Sequence, residues 1–357
     1  MSKAAELAKW GEVSTNGQVS GRRNIVINGA MNVAQRATSV TGLGDDNDEG
    51  YPTVDRFKVQ GNASAGRFTM TQEAVTDLPG FPECIKLDCT TADTSIAAAE
   101  RLFIQTKIEG QDLQATGTGT ADAKPITLSF YAKASASFKF VAALLNVDND
   151  RYAGSTFDVT TSWQRFIITF PADVDDGSSP FDNDNADSLH IRFFLHAGAN
   201  YTSGTLSSTF ANAVAANTYD SNAGSFYSST DNNFFITGVQ LEVGSVATPF
   251  EHRSFGEELA LCQRYYYDPK LSSGNYWWLH PIVTDSTGSY RRGSFPLPTA
   301  MRADPTATLT GATNGTFASN MPAVEGNDHR HYIGLTGDTN GENKYSDIRS
   351  LTLDAEL

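Results

Sequence analysis

ITLSFYAK at residues 126–133 and FKFVAALL at residues 138–145 decide the class of the fold. Both runs are rich in aromatic and aliphatic residues, repeat with a period close to two, and are separated only by ASAS at 134–137. Such alternation puts successive side chains on opposite faces of an extended strand. Further runs of this kind lie at 24–36 (NIVINGAMNVAQR), 53–60 (TVDRFKVQ), 67–75 (RFTMTQEAV), 84–87, 102–108, 162–170, 189–196 and 234–243. Bounded by Gly, Asn and Pro, they predict an all-β sandwich of roughly eight to ten strands.

Composition fits many short strands joined by turns. Of 357 residues, 39% are hydrophobic and 19% charged, with Gly, Ser, Thr, Asn and Asp throughout. Asp and Glu number 41 against 26 Lys and Arg, a formal net charge of −15. A phosphate backbone needs a basic footprint, so nucleic acid is excluded as the expected partner. No window reaches the ~18 apolar residues of a membrane helix, and the stretch 1–9, with Lys3, Glu6 and Lys9, has no apolar core of signal-peptide length. Cys84, Cys89 and Cys262 form no CxxC pair and read as buried thiols of a protein made in a reducing cytoplasm.

Four segments follow. Residues 1–21 read as an arm, with Ala4, Leu7 and Trp10 at helical spacing on a helix too short to stand alone. Residues 22–252 read as the sandwich, 253–268 as a helical linker carrying Phe255, Leu259 and Cys262, and 269–357 as a smaller β-domain. Two polar inserts, 174–188 and 201–233, read as surface loops. Asn28-Gly29, Gly42 and Gly44 invite turns with positive φ.

In order along the chain, GRRNIVINGAMNVAQR (21–36), TVDRF (53–57), KIEG (107–110), ITLSFYAK (126–133), GVQLEVG (238–244), TPFE (248–251), LCQRYY (261–266) and PTAMRADP (298–305) resemble blocks of one family. These are tail-fibre and virion-appendage proteins of tailed phages, of the marine and cyanophage type, which carry a carbohydrate-binding-module-like jelly roll. Phe57 stands where that family usually has tryptophan. The resemblance implies a jelly-roll sandwich, a homotrimer, a place on the virion, other virion proteins as partners, and a host-surface glycan or receptor as ligand. The jelly-roll signature begins by residue 22 without a long spacer before it, which implies a short appendage close to the particle. Capsid decoration and a tail adaptor with purely protein contacts remain alternatives.

No GxSxG, HExxH, P-loop or dinucleotide motif is present, so no catalytic residue is expected. A polysaccharide depolymerase would need two carboxylates about 5–10 Å apart in a groove. Leu7 and Trp10 are the residues expected to anchor the arm on the particle. Tyr276-Trp277-Trp278, with Tyr290 and Arg291 (and Arg292) nearby in sequence, and the run Tyr265-Tyr266-Tyr267 are the candidates for a glycan or interface contact, because alternation leaves one of two adjacent tryptophans facing outward. No cofactor is expected. Acidic runs at 45–49 (Asp45, Asp46, Asp48), 148–150 and 182–187 could hold a structural calcium, and His329 and His331 share one face of a strand and could gather a metal across a threefold axis.

Overall fold

The computed structural model describes residues 23–45, 49–174, 179–269, 277–279, 283–284, 290–312, 323–325, 332–338 and 346–357. The chain divides into two compact units between Phe255 and Gly256.

The first unit is a sandwich of two antiparallel sheets, as the alternation predicts. Its strands are Ser39–Leu43 (β1), Lys58–Asn62 (β2), Arg67–Ala74 (β3), Glu83–Thr91 (β4), Arg101–Glu109 (β5), Ile126–Ala134 (β6), Phe138–Asn146 (β7), Arg151–Val159 (β8), Gln164–Phe170 (β9), Asp187–Ala197 (β10), Ala211–Asn212 (β11) and Asn233–Val243 (β12). Sheet one runs β1-β3-β4-β12-β6-β9, and sheet two β11-β8-β7-β10-β5-β2. The two runs that decided the class, β6 and β7, lie in different sheets, so ASAS carries the chain from one layer to the other. β1 and β8 carry no clear signal: Gly154 and Ser155 interrupt the apolar pattern of RYAGSTFDV.

Alternation places Leu128, Phe130 and Ala132 of β6, Phe140, Ala142 and Leu144 of β7, Leu189, Ile191, Phe193 and Leu195 of β10, and Phe234, Ile236 and Leu241 of β12 in one shared core. Phe130 is central. Its ring meets Phe157 at 5.0 Å and Phe193 at 4.9 Å, both edge-to-face, and stacks on Phe166 at 5.3 Å. Each such pair adds about 0.5–1.5 kcal/mol to the gain from burial itself.

The stretch 24–36, expected to be a strand, is not one. Asn28 and Met31 adopt φ of 60°, which breaks the extended repeat. The Asn28 side chain replaces the ladder: its Nδ2 donates to Val33 O (2.8 Å) and Asp55 O (2.9 Å), while Oδ1 accepts from Val33 N (3.0 Å). The positive φ of this turn falls on Asn28; Gly29 is needed for space, since a Cβ there would lie 2.1 Å from Val239 O. Gly42 and Gly44 do take positive φ, 79° and 125°. Asn24 fastens the start of the sandwich to its end. Its amide N–H donates to Glu251 Oε2 (2.8 Å), its Nδ2 to Val239 O (3.1 Å), and Arg253 donates to the carbonyls of Asn24 and Val26.

The second unit carries most of the helix Phe255–Gln263 and small antiparallel sheets. Tyr266–Tyr267, Trp277–Leu279 and Thr306–Ala312 pair with Ser346–Asp354. A second sheet orders Val283–Thr284, Tyr290–Pro296, Tyr332–Asp338 and Ala323–Glu325. Cys262, Tyr265, Met301, Leu351 and Leu353 are buried in this unit.

Candidate functional site

The outer faces of the two sheets differ. On sheet two, Phe103, Val141, Ala143, Tyr152 and Phe194 point away from the main core, yet all are buried. They are covered by the segment 198–232, where Tyr219 packs against Phe194 with ring centroids 6.1 Å apart and Leu206 lies over Gly154. Tyr152 Oη donates to Thr218 O (2.7 Å), Tyr219 Oη to Gly224 O (2.6 Å), and Arg151 to Phe210 O (2.9 Å). The run 201–233, expected to be a surface loop, is therefore a belt with its own small core. Its Tyr and Leu residues are too widely spaced in sequence to form a local apolar pattern, but the belt brings them onto one patch.

The outer face of sheet one is covered at one end, where Gln240 and Glu242 are buried against Thr248–Glu251, and more open at the other. The register of this sheet aligns Thr71 of β3, Lys86 of β4, Phe235 of β12 and Lys133 of β6 as direct cross-strand neighbours. Trp163, one residue before β9, extends this row, with its ring 6.3 Å from that of Phe235. The Lys133 ammonium sits 5.0 Å from the Trp163 centroid and 5.1 Å from the Phe235 centroid, and Lys86 sits 5.6 Å from Phe235 on the other side. Cations over aromatic faces are held by the ring quadrupole.

A carboxylate locks the arrangement. Asp77 accepts from Lys133 Nζ at 2.6 Å and from Trp163 Nε1 at 2.8 Å. Lys133 first and Trp163 second hold its carboxyl below the usual range, so it stays charged. Lys86 pairs with Glu73 at 3.2 Å. Trp163, Phe235, Lys86 and Lys133 are all half-buried, and Asp77 is exposed. Beside them Tyr131 packs on Phe81 at 5.0 Å, and Ile167 is 53% exposed. The result is an aromatic surface rimmed by two ammoniums and two carboxylates. It suits a ligand with an apolar C–H face and hydroxyls at its edge, which the rim can both donate to and accept from.

The residues singled out from sequence lie elsewhere. Leu7, Trp10, Tyr276, Asp46, Asp48, His329 and His331 fall outside the described residues. Trp277 and Trp278 stand opposite Ile348 and Asp347, while Tyr290 and Arg291 belong to the other sheet of the second unit, opposite Asp338 and Gly337. The structure thus does not put these two pairs on one strand ladder. Asp45 is paired with Arg67 at 3.2 Å. The acidic runs at 148–150 and 182–187 do meet: Asp148 accepts from the Asp182 amide at 3.1 Å. Among the described residues, no group of three or more His, Cys, Asp or Glu is arranged to hold a metal. The three cysteines are free and buried; burial pushes the Cys84 thiol up to about 12 and that of Cys89 to about 11.

Ser225, His196 and Glu100 are linked in the order of a nucleophile, a base and an acid, with distances of 2.8 Å and 3.0 Å. This chain is turned inward, with His196 fully buried and Glu100 2% exposed, and it fastens the belt to sheet two.

No protein-family model matches the chain, and no curated protein does. Among solved structures, the enzymatically active domain of tailspike protein 4 from bacteriophage CBA120 aligns at 11% identity and a TM-score of 0.30. The alignment covers 62% of this chain and 21% of that one, so this chain spans about a fifth of the tailspike domain. A family 11 carbohydrate-binding module of a Clostridium thermocellum cellulosomal cellulase aligns at 11% identity and a TM-score of 0.29, covering 59% of this chain and 98% of the module. A family 30 carbohydrate-binding module aligns at 10% identity and a TM-score of 0.30, covering 66% and 94%. The jelly-roll sandwich itself is defined by the strand order and register described above.

Proposed function

We propose that the chain is a non-catalytic attachment protein of a phage particle, a short tail appendage that holds a host-surface saccharide on the Trp163–Phe235 face of its sandwich. The observation that carries this reading is the half-buried Trp163–Phe235 pair, fixed by Asp77 and flanked by Lys86 and Lys133 at the more open end of sheet one. A rigid aromatic surface costs little conformational entropy to use, and its charged rim offers the directional contacts that distinguish one sugar from another. The place on a virion and the homotrimer rest on the sequence blocks at 21–36, 53–57, 126–133, 238–244 and 298–305.

A glycan array probed with the full chain and with Trp163→Ala tests the binding role. Saccharide signals lost in the variant support it, whereas a blank array with the full chain rejects it. Labelling an epitope near the C-terminus and imaging intact virions tests the location: label on the tail supports an appendage, and label spread over the head turns the assignment to decoration.

A further inference from the structure

Several cations of this acidic chain pair with a carboxylate. Lys58 pairs with Glu49, Arg67 with Asp45, Lys107 with Asp187 and Arg151 with Asp173. On the outer face of sheet two, next to the belt, two arginines do not. Arg101 of β5 and Arg192 of β10 stand over the same buried ring, Phe103, at 5.7 Å and 4.9 Å from its centroid. Among the described residues neither has a carboxylate at ion-pair distance.

Their partners leave donors to spare. Arg192 donates from Nε to Gln105 Oε1 (3.1 Å) and from Nη2 to His190 Nδ1 (3.2 Å). Its Nη1 takes part in no hydrogen bond among the described residues and is not sealed from solvent. The Arg101 side chain lies over Phe103 and Tyr201 (5.3 Å), and among the described residues its buried Nε has no hydrogen-bond partner. Gln60 of the edge strand β2, half-buried, lies directly across from Phe103 on this face. Burial, with Arg101 as a like-charged neighbour, brings the Arg192 guanidinium down to about 10, so Arg192 remains charged at neutral pH. Two partly buried guanidiniums over one ring, with no carboxylate beside them, cost free energy unless something anionic joins them.

We propose that Arg101 and Arg192 form a second ligand subsite, on the sheet opposite the Trp163 face, that takes the oxyanion of an acidic saccharide, a uronate carboxylate or a sugar phosphate. Guanidinium groups match both oxyanions in planar, charge-assisted pairs. The subsite is independent of the Trp163 face, and either can fail without the other.

Calorimetric titration of the full chain with tri-galacturonate, inorganic phosphate and neutral cellotriose, repeated for Arg101→Gln, Arg101→Lys and Trp163→Ala, tests it. At least one of the two anions binds the unmodified chain, weakens with added salt, and loses about tenfold or more in affinity in Arg101→Gln. Arg101→Lys keeps part of that affinity, and Trp163→Ala keeps all of it. Melting temperatures read beside the titrations show that each variant is folded, so that a lost affinity is not a lost fold. Binding of tri-galacturonate alone assigns the subsite to carboxylates; binding of phosphate as well assigns it to oxyanions in general. Absence of binding by both anions, equal affinity in Arg101→Gln, or loss of anion binding in Trp163→Ala overturns the proposal.

Discussion

His196 and Glu100 meet in the sandwich with Nε2 and Oε2 3.0 Å apart, while Ser225 Oγ lies 2.8 Å from the imidazole's other nitrogen. With Nε2–H donated to the carboxylate, Nδ1 accepts from the serine, so the neutral ring satisfies both neighbours. Burial, larger than the pull of Glu100, moves the His196 pKa below 6.5, and His190 moves the same way, again mainly through burial.

A pH dependence follows. A histidine with a lowered folded pKa binds its proton in the unfolded chain first, so the stabilisation is complete above the unfolded value near 6.5 and is lost as pH falls below it. Denaturant midpoints measured between about pH 8 and pH 5 should fall on the acid side, with a shallower slope in His196→Gln. A flat profile in the parent chain rejects this assignment.

At the open face, Trp163→Ala should cost about tenfold or more in saccharide affinity with a small change in stability, because the ring is half-buried and outside the core. Asp77→Asn removes the charge that positions both Lys133 and Trp163. It should weaken binding by less than Trp163→Ala. Titration of both variants with the best array ligand decides, and an unchanged affinity in Trp163→Ala removes the site.

Phe130→Ala should destabilise the sandwich by about 3–5 kcal/mol, since it empties a fully buried position ringed by Phe157, Phe166 and Phe193. Ile167→Ser on the exposed face of β9 is the comparison, with an expected change within about 0.5 kcal/mol. Urea denaturation of the two variants separates core from surface.

Gly29→Ala should cost more than an ordinary loop substitution, on the order of 2 kcal/mol or more, because its Cβ would press on Val239 O, a backbone atom held in β12. Gly256→Ala, with open space around its Cβ, should be close to neutral. Similar melting temperatures for both would show that this close approach is relaxed at little cost.

The sandwich was legible because its inward residues repeat locally: Leu128, Phe130 and Ala132, or Leu189, Ile191 and Phe193, announce a buried face without reference to any distant residue. The stretch 24–36 misled because VINGAMNV alternates like a strand, while Asn28 and Met31 turn it with positive φ that only the surrounding hydrogen bonds sustain. The candidate site was not legible. Asp77, Lys86, Lys133, Trp163 and Phe235 are far apart in sequence and converge only through the order β4-β12-β6-β9. The aromatic signal that sequence does offer, Tyr276-Trp277-Trp278, is conspicuous because its residues are adjacent, whereas Trp163 stands alone among polar neighbours and Phe235 is one of several apolar residues in an ordinary strand run, Phe234-Phe235-Ile236.

The fastening of Asn24 to Glu251 and Arg253 sets how this sandwich bears a load. The two ends of the sandwich meet at one corner, where tension pulling them apart loads the Asn24–Arg253 clasp together with the bonds from Asn24 and Ile25 to β12. The Trp163 row crosses β12 at Phe235, toward the opposite end of that strand from Leu241, so a load on the clasp reaches the row only along β12.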